Sequence, residues 1–182
     1  MMHQALLDQP TNTVPQRRGM SLVELMVTIT IISSIAALVI PASQGDGLLQ
    51  ARAAATVLRS DIELTQVMTM TDPANPMVIC FNEEGTRYWI ASASNTEIPL
   101  SLNGNNETYV MTMGEGRLAA ADGVTINSET LSNRHIGFDM NGAVSPPMTT
   151  PIVTLQCGEH SVQLEVSPMT GTVTEKVIVT NP

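Results

Sequence analysis

Residues 17–41 read RRGMSLVELMVTITIISSIAALVIP. A basic pair and a glycine precede an apolar run from Met20 to Ile40, and one carboxylate, Glu24, stands near its start. About 20 apolar residues span a hydrocarbon core, so the run has bilayer length. A carboxylate inside such a span costs roughly 2.5–3.5 kcal/mol or more and marks a functional position by default. The run holds no Lys, Arg or His, which points to another chain as the source of the counter-charge. Arg17 and Arg18 place the N-terminus in the cytoplasm and the remainder across the membrane.

Two export signals compete for the same stretch. A secretory signal peptide carries an apolar core of roughly 7–15 residues. This run is longer, Glu24 is foreign to it, and Ile40-Pro41-Ala42 is a poor cleavage context. A twin-arginine signal would use Arg17-Arg18, but the flanking residues fit it weakly.

The third reading accounts for every feature. The segment resembles the N-terminus of the type IV pilin and pseudopilin superfamily, in which a basic leader ends in glycine. There the first mature residue is commonly phenylalanine, and glutamate is the fifth. On that resemblance the leader is 1–19, cleavage by a prepilin peptidase falls between Gly19 and Met20, and Met20 is then N-methylated. Glu24 becomes the fifth mature residue and Pro41 the twenty-second, where the family commonly has proline. The methionine at position 20 departs from the usual phenylalanine. The resemblance implies that Glu24 pairs with the new N-terminal amine of a neighbouring subunit, and that Glu24 and Pro41 serve assembly. Such a pair neutralises two embedded charges and sets register in a stack of helices. A head-to-tail contact that does not close gives a filament.

The same helix is expected to continue past the membrane. The transmembrane part is read as 20–41, and Pro41 with Gly45 and Gly47 weakens the helix there. Ala51, Ala55, Leu58 and Ile62 then form one apolar stripe, with Arg52, Arg59, Asp61 and Glu63 off it. An amphipathic helix over 47–71 follows, ended by Asp72-Pro73 and Asn75-Pro76. Helix 20–72 is thus expected to lead into a β-rich periplasmic domain over 73–182.

That domain reads as short strands and turns: MVICF at 77–81, TRYWIA at 86–91, ETYVMTM at 107–113, VTIN at 124–127, HIGFD at 135–139, PIVTLQC at 151–157, SVQLEVS at 161–167 and GTVTEKVIV at 171–179. No second long helix is expected, so an antiparallel meander in one sheet or two buries the helix face. The expected class is α+β, a pilin fold. The rhythm of HIGFD, Asn141-Gly142, two strands and Gly-Thr-Val resembles the GspH/FimT branch of minor pseudopilins and minor pilins. That branch implies a β-sandwich-like pair of sheets, in either a type II secretion pseudopilus of the inner membrane or a retractable pilus, some of whose members bind DNA for uptake.

Composition narrows the partners. A formal net charge of −9 and 3% aromatic residues in 182 argue against nucleic acid. The partners implied are other pilins or pseudopilins and the prepilin peptidase. The remaining alternative is a tethered periplasmic domain that never polymerises. Cys80 and Cys157 are the two cysteines. In an exported chain they are free to form a disulfide, and two separate thiols are the competing reading. No nucleophile motif appears and no cofactor is implied, so the chain is not expected to be an enzyme. Cys157-Gly-Glu-His160 is at most half a metal site, and LNGNNE at 102–107 reads as a polar loop whose oxygens would also suit calcium.

Overall fold

The computed structural model describes residues 21–42, 47–101, 107–128, 130–147 and 149–179. The chain divides into two compact units, Met1–Gln44 and Gly45–Pro182. The first contains helix α1, Leu22–Ala42, which runs through Pro41. The second begins with helix α2, Gly47–Thr71. The long N-terminal helix expected from the sequence is thus described as two helices, and residues 43–46 between them lie outside the described set.

Among the described residues, nine strands follow α2 and form two antiparallel sheets. The first has the order β3-β2-β1-β6, with β4 also on β2, and uses Met77–Phe81 (β1), Arg87–Ser92 (β2), Asn95–Pro99 (β3), Val110–Thr112 (β4) and His135–Gly137 (β6). The second has the order β5-β7-β8-β9, from Thr125–Asn127, Ile152–Cys157, His160–Val166 and Val173–Val179. The class is α+β, as expected. The simple meander is not what forms: β5 joins the second sheet, β6 returns to the first and β7 goes back to the second, so the chain crosses between sheets three times. The 3-10 turns Gly116–Ala121 and Ser132–Arg134 accompany the first two of these crossings.

Helix α2 packs against both sheets, touching β1, β7, β8, β9 and the 116–121 turn. Ala51, Ala54 and Ala55 carry no bulk and let the sheets approach closely. Leu58 and Ile62 are fully buried, each contributing roughly 1.5–3 kcal/mol of apolar burial. They meet Ile79, Phe81, Tyr88 and Ile136 of the first sheet and Val153, Leu155, Val162, Leu164 and Val166 of the second in one core. The alternation in β7 and β8 explains this: Val153, Leu155, Val162, Leu164 and Val166 turn inward, while Thr154 and Gln163 do not.

Polar side chains on α2 fasten its far end. Thr69 Oγ1 accepts from the Met77 amide at 2.9 Å and so joins the helix to the start of β1. Gln66 Nε2 donates to the carbonyls of Gly142 and Thr170, at 2.7 and 2.9 Å. Two loops remote in sequence therefore meet on one helix side chain. Gly171 has φ +64°, and a Cβ there would run into Gln66 and the Gly142 carbonyl, so glycine is required by both conformation and space.

A small satellite core lies on the outer face of the first sheet, where Val78, Cys80 and Ala91 pack with Trp89. The Trp89 indole N–H donates to the Thr96 carbonyl at 2.8 Å. Cys80 belongs to this satellite, whereas Cys157 ends β7 in the other sheet and donates its thiol hydrogen to Gln50 Oε1 at 2.9 Å. The disulfide that the sequence left open is not made: both cysteines are free. Burial pushes the Cys80 thiol up to about 12.

Candidate functional site

Two carboxylates define the candidate positions, one in each unit. In α1, Ser21 opens the helix, its carbonyl accepting from the Leu25 amide at 3.1 Å. Glu24 follows in the first turn, where the helix dipole favours negative charge. Ser21 and Glu24 have the spacing of a capping box. Among the described residues, however, no side chain or backbone donor reaches the exposed Glu24 carboxylate. Three hydroxyls of the run are satisfied locally: Thr28 donates to the Glu24 carbonyl at 3.0 Å, Thr30 to that of Met26 at 2.7 Å and Ser34 to that of Thr30 at 2.8 Å. This leaves an apolar surface on all sides, since Leu22, Val23, Leu25, Met26, Val27, Ile29, Ile31 and Ile32 are all exposed.

The processing positions Gly19 and Met20 lie outside the described residues, as do 102–106 of the oxygen-rich loop. Among the described residues no helix is long and apolar enough to cross a membrane, and no cluster of His, Cys, Asp or Glu could hold a metal ion. The side chains of α1 are described only as far as Ser34, short of the roughly 20 residues that a bilayer requires.

In α2 the sequence reading needs correction. Asp61, read there as part of the polar face, is 1% exposed. Its Oδ2 accepts from the Tyr88 hydroxyl at 2.8 Å and its Oδ1 from the Tyr109 hydroxyl at 2.6 Å. Arg117 closes the group, donating to the Tyr109 hydroxyl at 2.9 Å and standing 3.4 Å from Asp61. Burial and then the Asp61 carboxylate raise Tyr88 well above the usual phenol range. The same causes push Tyr109 up to about 12. Thr65 adds a bond to the Asp61 carbonyl at 2.7 Å. The group ties α2 to β2 and to the 116–121 turn. Its bonds join residues of the helix, the first sheet and the turn in one polar group.

The signal for this was present in the sequence. Ala51, Ala54, Leu58, Asp61 and Thr65 recur at helical spacing, and two sheets on one helix bury a wider arc than a single stripe. A cleft of about 500 Å³ opens beside the end of α2. Its polar groups already serve the fold: Thr69 holds Met77, and Asp139 accepts from the Asn141 and Ala143 amides.

Comparison with known families matches residues 15–40 to the prokaryotic N-terminal methylation motif. This is the signal of type IV pilin-like prepilins. It implies processing by a prepilin peptidase, membrane anchoring and assembly with pilin-like subunits. Residues 41–182 lie outside the match. No curated protein and no solved structure matches the chain.

Proposed function

We propose that the chain is a non-catalytic structural subunit, a minor pseudopilin of the GspH/FimT type, in a type II secretion pseudopilus. The observation that carries this reading is Glu24, a carboxylate in an apolar helix, within the methylation motif and with no partner among the described residues. After cleavage before Met20, the α-amine of a neighbouring subunit pairs with it. The pair holds the helices in register, while the domain over 73–182 faces the periplasm and supports export of folded proteins through the outer membrane. Pro41 and the glycines after it let the anchor adapt to its neighbours.

The acidic balance of the chain, −9, favours secretion over a DNA-uptake pilus. Deleting the chain in its native host should leave folded export substrates in the periplasm, and the purified protein should not retard duplex DNA at low salt. Normal secretion together with clear DNA retardation would replace this reading with the uptake pilus.

A further inference from the structure

The four sheet edges of the β domain are not alike. In the first sheet, β3 meets β2 through a bulge and β4 is a three-residue strand. At the opposite edge β6 is equally short, and Ser145 donates to its Gly137 carbonyl at 2.9 Å. In the second sheet, β5 is three residues long. Short strands, bulges and covering loops are the usual protections against edge pairing.

Among the described residues, strand β9 has none of these. It pairs with β8 over seven residues without a register shift. Its cation, Lys176, is drawn back onto Glu165 of β8 at 2.7 Å. Val177 and Ile178 are each 37% exposed. The hairpin bond from Ser167 to the Thr172 carbonyl fixes which residues face outward. By antiparallel alternation, Thr174, Lys176 and Ile178 bond to β8, and Val173, Glu175, Val177 and Val179 present N–H and C=O groups to the open edge. Glu175 has no ion-pair partner among the described residues.

A second copy of β9 fits this edge poorly. One antiparallel register sets Glu175 opposite Glu175, and a shift of two residues sets Lys176 opposite Lys176. Like charges directly opposite are destabilising. The registers that avoid both overlap only over 173–175 or 175–179.

We propose that the open edge of β9 takes an extended segment of a different polypeptide as a fifth strand of the second sheet, with apolar residues opposite Val173 and Val177 and a basic residue opposite Glu175. Backbone bonds supply affinity, and the charge opposite Glu175 supplies selectivity.

The test uses the full chain in detergent micelles and two synthetic peptides, residues 172–179 unaltered and the same peptide carrying Glu175→Lys. The lysine peptide should slow amide exchange at Val177 and Val179 by at least about tenfold, and the unaltered peptide should not. Val177→Pro removes an edge N–H that β8 does not use. It should abolish that protection while the Leu164 amide stays protected. A chain with Glu175→Lys should reverse the preference and select the unaltered peptide, a result independent of how the proline variant folds. No slowing at millimolar peptide, unchanged protection in a folded Val177→Pro chain, or equal response to both peptides would each overturn the proposal, the last in favour of a second copy.

Discussion

Helices α1 and α2 each carry a carboxylate among apolar neighbours, and only that of α2 finds partners among the described residues. Asp61 is 1% exposed and receives two phenols and a guanidinium from its own chain. Glu24 is exposed and receives nothing from the described residues. The cost of removing a carboxylate from water is common to both. Compensation from within the chain welds a domain together, whereas under the proposed function Glu24 would gain its compensation only on assembly. The −9 net charge sharpens the contrast, because cations are few and Arg117 is spent on Asp61.

Removing each acid should therefore break different things. Glu24→Ala should abolish incorporation into filaments while leaving processing and the unfolding midpoint unchanged, as read by filament pull-down and thermal melting. Normal incorporation would reduce α1 to a tether. Asp61→Ala should do the reverse. It strands a buried Tyr88 hydroxyl and unpairs Arg117, and should lower stability by about 3 kcal/mol or more in urea titration. A loss below about 1 kcal/mol would mean that the group is peripheral.

The smallest effect is in pH. Both tyrosines are raised in the folded chain, Tyr109 to about 12, against about 10 for an ordinary phenol. The unfolded chain therefore releases these protons first. The contribution of Tyr109 is complete below about pH 10 and is lost as pH rises through about 12, while that of Tyr88, raised further, is lost only at still higher pH. Stability should fall across that window together with the appearance of tyrosinate absorbance, and Asp61→Ala should flatten the slope.

The sequence exposed the parts of the fold governed by local rules. MVICF and RYWIA pair as a hairpin, since Asn82 and Gly85 turn the chain between them. Helix α2 stops at Thr71 because Asp72-Pro73 cannot continue it. What was hidden depends on long-range packing. The 107–113 candidate forms a strand only at Val110–Thr112, and HIGFD only at His135–Gly137. In both, the available partner strand sets the length. Strand β3 escaped notice because Asn95, Thr96 and Glu97 carry no apolar alternation; it forms by pairing with β2. The helical spacing marks the buried face on which Asp61 lies, but its partner Tyr109 is 48 positions away and no local pattern reports it.

The central claim is that the counter-charge of Glu24 is a newly made amine on a neighbouring subunit. Intact mass and terminal sequencing of the protein from its native membrane test it most directly. The account predicts a chain that begins at Met20 and carries one methyl group on its α-amine. Retention of residues 1–19, or a start near Ser43, would contradict it.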